Sequence, residues 1–147
     1  MYPNLLGTAY TDVTAALTQL LATGLQAYSR ARELLEGPVL KILVDFPEVI
    51  EPGMTFVDSE VDVSIGVIDL LLRDDTGGDV VVEVELRAGD LALGQVSRLA
   101  AGLAQFRGTS ANPLRKVIVC LDHTKNLEAA CRGSNVELYR IAANRVA

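Results

Sequence analysis

The sequence predicts an α/β domain in which a central mixed sheet is flanked by helices, and three observations predict it. The first third carries apolar residues at helical spacing, the middle switches to three strand-like segments separated by turns, and the last third reads helix, strand, helix, strand. The resulting order, ααβββαβαβ, is that of a layered sheet with an antiparallel meander whose later strands are reached by crossovers.

From Thr11 to Leu35 the apolar positions Val13, Leu17, Leu20, Leu21, Leu25, Tyr28, Ala31 and Leu35 recur at three- and four-residue steps, so a long amphipathic helix is expected, capped by Thr11 or Asp12. Gly37 and Pro38 are expected to break it and to begin a second helix over Pro38 to Phe46, which Pro47 ends. The meander follows: Met54 to Val61, then GVIDLLLR at 66 to 73, the turn-rich DDTGGD, and VVVEVELR at 80 to 87. The second and third segments are apolar on both faces apart from their acids, which places them at the centre of a sheet covered on both sides. One cover is a helix over Leu91 to Phe106, with Asp90 as cap and Ala92, Val96, Leu99, Leu103 and Phe106 as its buried stripe. A buried strand over Lys116 to Leu121, a short helix over Lys125 to Cys131 and a last strand over Val136 to Ile141 complete the chain.

With 147 residues, half of them apolar, the chain suits one domain over 1–147: a helical region over 1–46 and a sheet core with helices over 54–141. No run of about eighteen apolar residues is present, and the start MYPNLLGTAYTD lacks the basic and apolar stretches of a secretion signal. A cytoplasmic protein with no membrane partner is therefore expected. Cys120 lies inside the apolar run VIVCL and reads, like Cys131, as a small buried hydrophobe. His123 is the single histidine, which excludes schemes built on a histidine pair. No GxGxxG or GxxxxGK pattern opens a helix, so a phosphate-binding loop is excluded too.

The chemistry is carried by acids. Strand side chains alternate, so Glu83 and Glu85 leave VVVEVELR on one face, and an even pairing sum through the DDTGGD turn brings Asp69 to that face. Each is flanked by Val, Ile or Leu, where an unpaired carboxylate costs several kcal/mol or takes up a proton. A divalent cation removes that cost, and oxygen ligands on a rigid strand pair suit Mg²⁺ or Mn²⁺. Alternating acids are also what a solvated edge strand shows, and the residues alone leave the two readings open.

In chain order, Glu36, FPEVIEPGM at 46–54, GVIDLLLRD at 66–74, VVVEVELR at 80–87 and GQVSRL at 94–99 resemble the nuclease core of the PD-(D/E)XK superfamily, in particular NucS-type endonuclease catalytic domains and their RecB-like relatives. The resemblance implies a restriction-endonuclease-like fold, a metal held by Asp69 and Glu83, a helical glutamine at Gln95 and a further acid at Glu36. Two positions depart from the pattern. Glu85 stands where a lysine is usual, and Leu99 where an aromatic residue is frequent. Glu85 can bind a metal or accept a proton but supplies no cation.

The function expected from these residues is metal-dependent hydrolysis of DNA, with Asp69, Glu83 and Glu85 as ligands and Gln95 and Glu36 in support. The alternative is a nuclease-fold module that binds DNA or regulates without turnover. The net charge of −6 weighs against a polyanionic partner. Against that, Arg87, Arg98, Arg107, Arg115 and Lys116 cluster in and after the acid-bearing stretch. The resemblance also implies a separate DNA-binding domain that this chain is expected to lack, so DNA would be gripped by a homodimer or with a partner.

Overall fold

The structure, a computed structural model, describes residues 36–108 and 114–140. The helix expected over Thr11 to Leu35 lies outside them. Within them a helix over residues 36–45 (α1) leads through a 3₁₀ turn, Pro47–Val49, to strands Thr55–Asp62 (β1), Val67–Arg73 (β2) and Asp79–Ala88 (β3). Helix Asp90–Arg107 (α2), strand Arg115–His123 (β4), helix Leu127–Gly133 (α3) and strand Glu137–Arg140 (β5) follow. The five strands form one sheet in the order β1-β2-β3-β4-β5. β1 to β3 are antiparallel, while β4 and β5 join in parallel through the crossover helices. This is the expected mixed α/β sheet, flanked by three helices.

Strand alternation sorts the core into two layers. Leu70, Leu72, Val80, Val82, Val84, Val117 and Val119 form one cluster with Val39 and Leu43 of α1 and with Met54. Leu71, Val81, Ile118 and Leu138 pack on the other side against Val96, Leu99 and Leu103 of α2 and Leu127 and Cys131 of α3. Residues of β2 to β4 are therefore apolar on both faces because both faces are covered. β1, at the sheet edge, is mostly exposed and carries Asp58, Glu60 and Asp62, charges that discourage pairing with another edge. The β1–β2 connection touches α2: a Cβ on Gly66 would meet Leu99 Cδ2 at 2.8 Å. The bare glycine backbone lets hairpin and helix approach this closely.

Several expected details differ. Gly37 and Pro38 lie inside the helix over 36–45 and do not break it. The residue before α2 is Gly89, which provides no side-chain cap, and Asp90 sits in the first turn, where its charge favours the helix dipole. Phe106 is 76% exposed, so the buried stripe of α2 ends at Leu103. In the last turn it is Arg107 that reaches the sheet, through a 2.7 Å ion pair with Asp79. Leu127–Gly133 starts later than expected because Leu127 N–H donates to Thr124 O, closing a turn over the residues before it. The last strand is shorter at its start, and Ile141 lies outside the described residues.

At the amino end of β4, Arg115 ties three segments together. Its guanidinium donates to Glu51 at 2.6 and 3.0 Å, to Glu137 of β5 at 2.6 and 2.8 Å, and to Asp74 of the β2–β3 turn at 3.4 Å. The two glutamates hold its pKa above the usual arginine value. Arg115→Ala leaves three half-buried acids facing one another without their cation. We expect it to lower unfolding free energy by about 2–4 kcal/mol at neutral pH, read from urea denaturation; a loss below about 0.5 kcal/mol would show that the cluster is merely a solvated surface network.

Candidate active site

Leu70 opposes Val82 and Leu71 opposes Val81, so one further step places Asp69 across from Glu83. The pairing sum is even, as expected; Glu83 and Glu85 lie beside Ile118 and Cys120 of the α2-side layer, and Asp69 is close enough to Glu83 to act on its charge and hydrogen bonding. The backbone ladder of the two strands ends at Leu70 and Val82; beyond it, Val84 N–H donates to Asp69 Oδ2 at 3.0 Å. The Asp69 carboxylate thus occupies the point where β2 and β3 part.

Glu83 is 2% exposed, the one buried charged residue among those described, and its Oε1 has no hydrogen-bond partner. Burial pushes its pKa up to about 8, helped by the charge of Asp69, by hydrogen bonding with it, and by the charge of Glu85. Two carboxyls crowded in a dry place cannot both ionise cheaply, so one keeps a proton unless a cation replaces it. Asp69 and Glu85 are half-buried. The mouth beside them is open: Val67, two residues before Asp69, is 49% exposed although the face it shares is apolar further along.

The other expected residues are placed less closely. Glu36, at the beginning of the described part of α1, lines the same cleft as Glu85, together with Leu86 and Cys120. Gln95 is half-buried on α2 and makes no hydrogen bond among the described residues. The structure thus brings Asp69 to Glu83 and leaves Glu36 at the rim of a cleft lined mostly by the α1-side layer, and no three acid, histidine or cysteine side chains among the described residues are grouped closely enough to hold a metal as they stand.

Two neighbours of the acids were not assigned to the site from the sequence. Cys120 is the β4 partner of Glu85, and burial raises its thiol to about 12, so it is a neutral apolar wall. Arg87 follows Glu85 by two residues on β3. Alternation along VVVEVELR gave the signal for Arg87; Cys120 needed the β3–β4 register, which no local pattern encodes. His123 contacts Thr124 O through Nδ1 and stays a loop residue.

A mixed sheet of this order, with an acid pair at the parting of its second and third strands and a crossover helix beside it, defines an α/β domain of nuclease architecture. Residues 35–146 match the family described as the endonuclease NucS C-terminal domain, and the chain belongs to that family. Endonuclease NucS of Frankia alni is 33% identical over 103 residues, covering 67% of this chain and 46% of that protein. Endonuclease NucS of Thermococcus kodakarensis is 26% identical over 106 residues, covering 72% and 41%. The EndoMS–dsDNA2 complex superposes with a TM-score of 0.63 at 25% identity, over 70% of this chain and 42% of that one. A repair endonuclease from Pyrococcus abyssi shares the fold with a TM-score of 0.63 at 23% identity, over 70% and 45%. The chain spans less than half the length of each of these proteins.

The Glu83 environment fixes a sign for pH. Its folded pKa lies above the unfolded one, so between the ordinary glutamate range and about 8 the folded state holds a proton that the unfolded state has lost. Stability should therefore fall as pH rises through that window. Urea midpoints in chelator across pH 5 to about 8 should decline for the wild type and be flatter for Glu83→Gln. An equal decline in the variant would place the titrating group elsewhere.

Proposed function

We propose that Asp69, Glu83 and Glu85 hold a divalent cation, Mg²⁺ or Mn²⁺, and that the domain hydrolyses DNA phosphodiester bonds there. The observation that carries this reading is the orphaned Oε1 of the buried Glu83 beside Asp69, an oxygen pair that a cation would satisfy. Hard carboxylate oxygens fit these ions, and no soft ligand competes, since Cys120 is held neutral. When bound, such an ion lowers the pKa of water and offsets charge on the phosphate. Membership of the NucS C-terminal family supports the same reading, as does the likeness to EndoMS, which was solved with double-stranded DNA.

The chain's own residues supply the rest. Asp69 is oriented by Val84 N–H, which fixes one oxygen and leaves the other for the ion. Glu85, half-buried at the cleft, accepts a proton from the attacking water. Glu36 borders the same cleft as Glu85. Gln95 orients the water or phosphate from α2. We further infer a homodimer in the cytoplasm, because a small acidic nuclease core presents little surface to a duplex by itself. Among the described residues no helix is long and apolar enough to cross a membrane.

A second reading is a nuclease-fold module that binds DNA or regulates without cutting. Glu85 in the lysine position and the absence of a ready-made three-ligand group among the described residues favour it. One substitution separates the two. If Glu85 is a working ligand, Glu85→Lys places a cation beside the metal, and Mn²⁺ affinity should fall about tenfold or more with loss of cleavage. If Glu85 is the remnant of a lost lysine, the same change should create activity. We expect the fall, measured by Mn²⁺ titration and by Mg²⁺- and Mn²⁺-dependent cleavage of single-stranded, duplex, flap, mismatched and branched DNAs. Cleavage gained by Glu85→Lys would overturn the proposed role of Glu85, and cleavage undiminished in Asp69→Asn would move the site.

A further inference from the structure

Seven of the ten lysine and arginine side chains among the described residues are engaged. Arg73 and Arg107 hold Asp79, Arg115 holds Glu51, Asp74 and Glu137, Arg132 holds Glu128, and Arg140 donates to Leu121 O. Lys41 and Lys116 are engaged likewise. Among the described residues, Arg87, Arg98 and Lys125 are the basic side chains that make no hydrogen bond or ion pair. Arg98 stands on the outer side of α2 and Lys125 in the loop before α3. Arg87 stands exposed on β3 itself, two residues past Glu85; alternation from Glu83 and Glu85 leads to it, while the adjacent Ala88 packs into the α2-side layer.

We propose that Arg87 is the phosphate-binding cation of this site, its guanidinium holding non-bridging oxygens of the DNA phosphate that the acids address. The inference rests on the nuclease reading and assigns a role that the three acids cannot fill. Two residues along a strand span roughly 6.7 Å, so Arg87 begins one side-chain row beyond Glu85, toward the carboxyl end of β3 where the chain leaves the sheet for α2. It is exposed there, while Ala88 after it is buried, so the guanidinium stands at the rim and its stem on a rigid strand. Its β4 partner is Asp122, yet no ion pair joins them, and the cation is uncommitted before substrate arrives.

The chemistry calls for such a group. As a water oxygen bonds to phosphorus and the ester P–O bond breaks, the water proton passes to Glu85 and the departing oxygen takes a proton from solvent. Negative charge stays on the non-bridging oxygens throughout. A row of acids repels that charge, and a planar fork of N–H donors two residues away matches it with paired hydrogen bonds. The position that is lysine in the resembling family is Glu85 here, and the cation is met two residues further along the strand.

The test uses the purified chain and a short fluorescein-labelled duplex, with binding followed by anisotropy in Ca²⁺ over a salt series and cleavage followed in Mn²⁺. For Arg87→Ala we expect kcat to drop about 100-fold and the slope of log affinity against log salt to lose about one charge. Mn²⁺ affinity should stay within about twofold, since a phosphate contact is not a metal ligand. Arg87→Lys should recover most of the binding and part of the rate, which a purely structural role would not require. Urea midpoints should match wild type because the side chain is exposed. The proposal is overturned if Arg87→Ala binds and cuts like wild type, or if Arg98→Ala shows these losses instead. A wild type that binds with an Arg87-dependent slope but cuts nothing would defeat the nuclease reading and keep the phosphate role. A wild type that neither binds nor cuts would defeat both.

Discussion

The register of β2 on β3 is the constraint on which the rest depends. Over the paired stretch, Leu71 and Val81 face α2 while Leu70, Leu72, Val80 and Val82 face α1. That parity settles which leucines and valines meet which helix, and it brings Asp69 and Glu83 to one point. A slip by one residue would send Asp69 into the layer formed by Val39 and Leu43 and would expose the leucines beside it. The core and the candidate site are therefore specified by the same pairing, and neither can be altered alone.

Holding that register requires control at the far end of the hairpin. Asp74 Oδ1 accepts bonds from Thr76 N–H, Thr76 Oγ1–H and Gly78 N–H, which shape the turn and hold its carboxyl below the usual range. Its other oxygen meets Arg115, and Arg115 in turn fastens β4 to β5 and to the segment after the 3₁₀ turn. One arginine thus ties the hairpin, the crossover strands and the entry to β1. Strong pairing at this end offsets the parting of the strands at the other, where Asp69 replaces a ladder bond with a side-chain acceptor.

What the sequence made legible follows from range. Alternation along VVVEVELR is a local property, and it placed Glu83 and Glu85 on one face before any pairing was known, while bringing Asp69 to them required the even pairing sum of the hairpin. The α2 stripe was legible through Leu103 and failed at Phe106, because periodicity carries no information about where an ion pair such as Arg107 with Asp79 turns the last turn. Pro38 was read as opening a helix, and the helix over 36–45 holds it, but Gly37 was read as a break and is instead helical too. The proximity of Cys120 to Glu85 was hidden for another reason. It depends on a parallel pairing made across an 18-residue helix, and nothing local fixes the register of two strands so far apart in sequence.

The net negative charge is the remaining obstacle to a polyanionic partner, and its distribution answers it. At the amino ends of β3 and β4, acids and bases largely pair off: Asp79 with Arg73 and Arg107, and Glu51, Asp74 and Glu137 around Arg115, leaving a net charge of one negative unit. Burial beside Asp69 favours the neutral form of Glu83, and a cation would offset its charge, so formal charge overstates its repulsion. Among the described residues, the uncommitted bases Arg87, in the last residues of β3, and Lys125, just after β4, stand at the opposite end of these parallel strands, beside Asp90 and Asp122. A phosphate approaching there meets a local field set by these groups, since charges farther than a Debye length of about 8 Å are largely screened at physiological salt. Local charge at the carboxyl end of the sheet, and not the sum over the chain, is then what governs encounter with DNA.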